Sequence, residues 1–392
     1  MFSLFLITQA PCPPRKPPAP DGIPQRYVAL YRELEDKLNQ FAAYVMTLPG
    51  RRAGVTFGGE ILPANSHRGE GLLAGDAYAG VLLYVDRLSA LGARAVSVHM
   101  GYPLLTDTFP RSAEYWAFYR RLAGDIRNRG LKLHVKTGPI FNDREFSSVP
   151  TDYSNLTVDG YFRDQGRIVQ RIAAEIRPDY LSIGNEPSSE MQVLRFAITP
   201  DRYAQFVRDT LASMNRSGIM VGAGSGNWDS VEYIQRFVRE TSLDFIDLHI
   251  YPLAGGGIDF LRRAVEMADI AFVGGKRIII GECWLYKAGA AELVGNPTLA
   301  DLFARDVFGF WAPLDIRFLQ VIAEMASLEQ IEYVSPFWTK YLFAYIDFDN
   351  TTANATPLRL TRLADEATVR QLLAGAASPT GSAYRQITAQ YR

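Results

Sequence analysis

The sequence predicts an α/β protein built as a single (β/α)8 barrel, and three observations predict it. Eight short β-rich runs recur along the chain, at 53–57, 93–99, 131–135, 180–183, 219–222, 245–250, 277–280 and 333–337. Helical periodicity fills the intervals at 78–91, 112–129, 160–177, 200–217, 230–240, 258–273 and 302–328, and a last helix within 364–374 or 383–391 completes the set. Parallel strands need such crossovers, and eight of them favour a closed barrel over an open doubly wound sheet. Finally, polar and aromatic residues gather just after the runs, where a barrel of this kind keeps its chemistry.

The elements follow in order. Residues 1–24 form a Pro-rich tail, since the prolines between 11 and 24 permit neither helix nor central strand. Its apolar run at 2–7 has no basic residue before it and reads as a degenerate export segment, which favours a periplasmic or extracellular location over the cytoplasm. The barrel domain is expected over 25–392. It opens with an extra N-terminal helix in "IPQRYVALYRELEDKLNQFAAYVMTLPG", bounded by Pro24 and by Pro49-Gly50. After the first run, "GVTFGGEILP" lacks the glycine spacing of a dinucleotide turn, and no phosphate-binding lysine motif follows anywhere.

Composition narrows the function. With 392 residues, 48% hydrophobic and 21% charged, the chain is ordinary globular material. A net charge of -1 supplies no basic excess for nucleic acid. No apolar run is long enough to span a bilayer. Cys12 and Cys283 are too few for a disulfide framework or a zinc pattern. Oligomeric state is not readable.

The strand ends carry the informative residues. The first has Glu60, Asn65 and His67; the second His99 and Tyr102; the third His134 and Lys136; the fourth Asn185 and Glu186. The fifth has Asn227 and Trp228; the sixth His249 and Tyr251; the seventh Glu282, Trp284 and Lys287; the eighth Trp338 and Lys340. All four histidines and three of the five tryptophans thus fall at or near these ends. Taken singly, His134 reads equally as a satisfied core residue, and Trp284 and Trp338 as packing under a loop. Together they read as a polar and aromatic pocket.

Two glutamates sharpen this. A carboxylate that finishes an apolar parallel strand is costly unless it is paired or functional. Glu186 ends the fourth run and Glu282 the seventh, across the mouth from each other. Carboxylates about 5–5.5 Å apart there can act as nucleophile and acid/base on one glycosidic bond. The competing reading is a pair of separate rim salt bridges.

Asn185-Glu186-Pro187, the run His249 to Pro252, Gly281-Glu282 and Trp338, in this order and each after its expected strand, resemble glycoside hydrolase clan A. That clan of retaining (β/α)8 glycosidases includes the family 5 cellulases and mannanases. "SPTGSAYRQI" also resembles the last helix of such enzymes, so the likeness spans most of residues 50–392. The resemblance implies double displacement on a β-linked oligo- or polysaccharide, without metal or cofactor. It implies that Glu186 is the general acid/base, protonated at rest, and that Glu282 is the ionised nucleophile. Asn185 would bind the sugar 2-hydroxyl, Tyr251 would orient Glu282, His249 would sit beside the acid/base, and Trp338 would be the floor under a sugar ring.

His99, Tyr102, His134, Lys136, Trp228 and Trp284 complete the expected carbohydrate-binding set. Lys136, Lys287 and Lys340 could form a fringe for an acidic glycan, or pair with acids such as Asp143. Two rival functions remain. A non-catalytic glycan-binding barrel would not need two opposed acids. A metal-dependent hydrolase would want paired histidines on one strand, and His67, His99, His134 and His249 all occur singly.

Overall fold

The eight β-rich runs become eight strands of one sheet. They are β1 Thr56–Phe57, β2 Ala95–His99, β3 Lys132–Lys136, β4 Tyr180–Ser182, β5 Met220–Gly226, β6 Phe245–Ile250, β7 Arg277–Cys283 and β8 Tyr333–Pro336. The structure, a computed structural model, describes residues 22–392 except 51, 143–146, 252–255 and 295–298. The expected tail up to residue 21, with Cys12, lies outside the described residues, as do Asp143 and Pro252.

All named strand pairs are parallel, in the order β1-β8-β7-β6-β5-β4-β3-β2. Backbone bonds close the ring. Arg94 N–H donates to Phe57 O at 2.8 Å, Ser97 N–H to Gly59 O at 3.0 Å and Ile61 N–H to Ser97 O at 2.8 Å. The sheet is therefore a barrel without a free edge.

The helices are α1 Val28–Val45, α2 Ala77–Ala90, α3 Ser112–Asn128, α4 Val158–Arg171, α5 Pro187–Leu194, α6 Pro200–Ser213 and α7 Glu232–Glu240. They continue with α8 Leu261–Val273, α9 Ala290–Val294, α10 Leu299–Arg305, α11 Ala312–Leu328, α12 Pro357–Ala374 and α13 Pro379–Gln390. The extra N-terminal helix is α1. It buries Tyr31, Leu34, Leu38, Phe41 and Val45 along one face and packs on α11. Each such side chain contributes about 1.5–3 kcal/mol by leaving water.

Two expectations change. The single helix expected over 302–328 is broken into α10, a turn at Gly309–Trp311 and α11. Pro313 lies in the first turn of α11, where its ring would clash with the carbonyl of residue 309 in a continuous helix. Secondly, the strand that ends at Ser182 is followed by α5, with Pro187 in its first turn, where a missing N–H costs nothing.

The barrel interior is layered. Ala95, Tyr180, Phe245, Ile279 and Tyr333 form the lower plug, with Tyr180 and Tyr333 stacked at 5.7 Å. His134 packs edge-on against Tyr180, Phe245 and Tyr333. Above it, inward positions two residues further along the strands are polar: Ser97, Ser182, Asp247 and Ser335, all fully buried. A mostly apolar and aromatic plug below and a polar layer above leave the C-terminal mouth as the place where charge can be concentrated.

Candidate active site

Glu186 is placed by a change of secondary structure. Its backbone caps α5, and the N–H of Glu190 donates to Glu186 O at 2.9 Å. The strand before it and the helix after it hold the carboxyl at the rim, with 18% of the side chain exposed. Its Oε1 lies 2.7 Å from His249 Nδ1.

Glu282 is placed by a bulge. Strict alternation along β7 would put Glu282 on the face of Ile278 and Ile280, away from the interior position of Ile279. Opposite β6, however, Ile280 pairs with Leu248 and Glu282 with His249, so Gly281 is an extra residue. The bulge turns Glu282 into the mouth. Gly281 N–H donates to Asp247 Oδ1 at 2.9 Å, and a Cβ at Gly281 would lie 2.2 Å from that oxygen.

The two carboxylates converge. One carboxylate oxygen of Glu186, one of Glu282 and a ring nitrogen of His249 all lie within 4.8 Å of one another. Tyr251 donates its hydroxyl to Glu282 Oε2 at 2.8 Å. Tyr251 is itself stacked on Tyr286 at 4.9 Å, and its backbone N–H donates to Asn227 Oδ1 at 3.0 Å. The Lys136 ammonium donates to Glu282 Oε1 and to Glu60 Oε2.

Asp247 organises the floor beneath. Ser182 Oγ donates to its Oδ2 at 2.6 Å and Asn185 Nδ2 at 2.5 Å. Asn185 Nδ2 also lies 3.0 Å from His249 Nε2, and Asn185 Oδ1 is buried without a partner.

Burial by itself would lower the His249 pKa. The carboxylates of Glu282, Glu186 and Asp247 outweigh it and bring it up to about 9. Burial also opposes the charge of Lys136, but Glu282 and Glu60 hold its pKa above the ordinary lysine value. Burial and the charge of Glu282 push the Tyr251 hydroxyl up, so it stays a donor. His67, His99 and His134 move the other way, lowered chiefly by burial and further by the Lys136 charge.

The remaining expected residues divide. Trp228 and Trp338 are half-buried, with Trp228 tilted against Tyr251 at 5.9 Å and Trp338 edge-on to Phe337 at 4.9 Å. His99 is also half-buried, with Nδ1 2.8 Å from Ser66 Oγ. His134 and Trp284 are fully buried and have no face to offer a ligand. Tyr102 is buried between Tyr153 and Tyr161.

Of the two readings of the lysines, the one that pairs them with acids fits the structure. Lys136 is 1% exposed between two carboxylates. Lys287 is fully buried against Asp315 and Asp306, and Lys340 pairs with Asp365 at 3.1 Å with 8% of its side chain exposed. A buried ammonium with carboxylate partners is already neutralised, so these lysines do not form a charged rim.

Asp247 and Glu190 were missed. Asp247 left a signal, a charged residue interrupting the apolar run "FIDLHI" on the same strand face as His249. Glu190 lies in the first turn of α5, is buried, and accepts from Tyr203 at 2.7 Å and Tyr161 at 3.0 Å. Burial, opposed by those two hydroxyls, brings its pKa up to about 8.

Fold and site together define a class: a closed parallel (β/α)8 barrel with two carboxylates converging at the C-terminal ends of β4 and β7. No protein-family model matches the chain, and no curated protein matches it. Solved structures do. The exo-β-1,4-mannosidase of Opitutaceae bacterium strain TAV5 is similar over 87% of this chain and 60% of its own, with 12% identity and a TM-score of 0.52. A family 30 subfamily 8 xylanase from Clostridium acetobutylicum shares 13% identity over 81% of this chain and 72% of its own, with a TM-score of 0.45. Cel5A of Thermotoga maritima, solved with mannotriose, shares 12% over 81% and 97%, with a TM-score of 0.48. At such identities the likeness shows the barrel fold.

Proposed function

We propose that this protein is a retaining glycoside hydrolase acting on a β-linked oligo- or polysaccharide. The observation that carries the reading is the approach of Glu186 and Glu282 oxygens to within 4.8 Å. Retaining enzymes hold their carboxyl groups at about 5–5.5 Å, whereas inverting enzymes need about 6.5–9.5 Å to admit a water. The fold neighbours named as a mannosidase and a xylanase are in keeping with a glycan substrate.

In the first step a Glu282 oxygen attacks the anomeric carbon while Glu186 gives its proton to the departing glycosidic oxygen. The carbon–oxygen bond of the leaving group breaks and a glycosyl ester forms. In the second step Glu186, now a carboxylate, takes a proton from water as that water attacks the same carbon and releases Glu282. Tyr251 and Lys136 each hold one oxygen of Glu282, which fixes the plane of the nucleophile. The hydrogen bond between His249 Nδ1 and Glu186 keeps a proton next to the acid. Asn185 Oδ1, unpartnered in the free protein, is an acceptor for the sugar 2-hydroxyl. Half-buried Trp338 provides an apolar face for a ring.

The test is a panel of aryl β-glycosides, β-glucans, xylans and mannans, with the product anomer read by NMR. An activated 2-fluoro glycoside should then label the protein, and peptide mapping should place the label on Glu282. Inversion of configuration, a label on another residue, or activity abolished by chelation would overturn the assignment.

A further inference from the structure

Lys136 was expected to face a ligand and instead faces the nucleophile. It is the last residue of β3, on the strand face shared with Lys132 and His134. Its ammonium is enclosed by Glu282 on one side, Glu60 Oε2 at 2.8 Å on another, and the Phe337 ring, whose centroid is 5.2 Å away. His67, His99 and His134 also feel its charge; their pKa values are lowered, chiefly by burial, and they are neutral near pH 7. Cys283 and Tyr333 feel it too, and burial raises both, so they stay protonated and uncharged.

Glu60 is as firmly held. It is fully buried and sits just beyond β1, bridged through the backbone to Ser97. Ser97 Oγ donates to its Oε2 at 2.8 Å, and Asn65 Nδ2 to its Oε1 at 3.1 Å. Asn65 is fixed in turn by His67, whose Nδ1 lies 2.7 Å from Asn65 Oδ1. With Lys136, three donors converge on Glu60, the arrangement of a carboxylate rather than a carboxylic acid.

Charge counting gives this arrangement a purpose. In the free protein Lys136 has two counter-ions. If Glu282 becomes a glycosyl ester, one of them disappears, and a buried ammonium left alone would shed its proton. Glu60 remains. We propose, on the footing of the glycosidase reading, that Glu60 and Lys136 are a positioning pair for Glu282. Glu60 keeps Lys136 an ammonium throughout the cycle, so that a cation is in place when the Glu282 carboxylate is released in the second step.

The pair predicts a kinetic split. Glu60→Gln leaves Lys136 paired with Glu282 in the free protein, so kcat/KM on a dinitrophenyl β-glycoside should be nearly kept. Ester hydrolysis should slow by about 10–100-fold, the rate equivalent of one hydrogen bond to a charged group. A pre-steady-state burst of dinitrophenol should therefore appear, with kcat falling and KM falling with it. Lys136→Arg should recover activity that Lys136→Met loses. A merely structural role would lower kcat/KM and thermal stability together without a burst, and that result would overturn the proposal.

A second measurement does not depend on turnover. In ¹⁵N-lysine-labelled protein, the Lys136 Nζ resonance of Glu282→Gln, a neutral stand-in for the ester, should remain that of an ammonium beyond neutral pH. In Glu60→Gln/Glu282→Gln it should titrate about 3–5 pH units below an ordinary lysine, as a buried amine without a counter-ion does. Equal titration in the two variants would refute the role given to Glu60. If no β-glycoside is turned over while the two variants differ, the pair stands and the glycosidase reading falls.

Discussion

The backbone N–H of Gly281 donates to Asp247 Oδ1 at 2.9 Å, and the glycine has no room for a side chain, because a Cβ would lie 2.2 Å from the same oxygen. This contact joins the bulge that aims Glu282 to the carboxylate that anchors Asn185. Gly281→Ala should therefore push β7 away from β6, at a cost of about 1–3 kcal/mol, typical of overpacking. Activity should fall by far more than stability. Chemical denaturation and kcat measured on the same preparation check this, and a variant with wild-type kcat would remove the bulge from the account.

Exchanging the two acids separates their roles. Glu282→Ala should abolish turnover of any glycan. Glu186→Gln should cost about 10²–10⁴-fold on a natural substrate, the usual worth of general acid catalysis. On a dinitrophenyl β-glycoside, whose leaving group needs no proton, the glycosyl-enzyme should still form. Mass spectrometry of the intact variant would detect it, and near-normal hydrolysis of a natural glycan by Glu282→Ala would exclude the assignment.

His249 predicts the alkaline side of the pH profile. Its pKa of about 9, raised against burial by Glu282, Glu186 and Asp247, keeps a proton next to Glu186 at neutral pH. Above that value the proton is lost and acid catalysis should fail, so the rate should decline as pH rises through about 9. In His249→Gln the carboxyl must hold its proton unaided, and the alkaline limb should move to lower pH. A limb that stays in place would show that another group controls it.

His67 predicts an acid weakness. Its pKa is lowered from 6.5 to about 4 by burial, then by Lys136 and Arg68. Its Nε2 accepts the Phe141 N–H at 3.0 Å, a bond that a proton on Nε2 destroys. The folded state therefore binds the proton less well than the unfolded chain, and stability falls as pH drops from 6.5 towards 4. The slope is at most about 1.4 kcal/mol per pH unit. His67→Gln should flatten this part of the curve, measured as denaturation midpoints at several pH values.

Much of the architecture was readable because strand and helix signals are local. The eight apolar runs each contain or overlap an observed strand, and the N-terminal helix lies where its periodicity put it. The break before α11 was hidden, since Ala and Leu on both sides of Pro313 continue a helical pattern while one pyrrolidine ring forbids it. At the site, Glu186 and Glu282 could be singled out because charge at the end of an apolar strand is conspicuous. Lys136 could not be interpreted in the same way, because a lysine after a strand looks the same whether it meets water or a carboxylate.

Sequence alone thus determined where the strands and most of the crossovers form, and it singled out Glu186 and Glu282 at strand ends, all consequences of short-range periodicity and side-chain chemistry. Only the closed barrel decided what those residues touch. Lys136 and Glu282 are 146 positions apart, and Glu282 turns inward only because one glycine breaks the alternation of β7. Pairing across a barrel depends on register and burial summed over all eight strands, and neither is written in any local stretch of the chain.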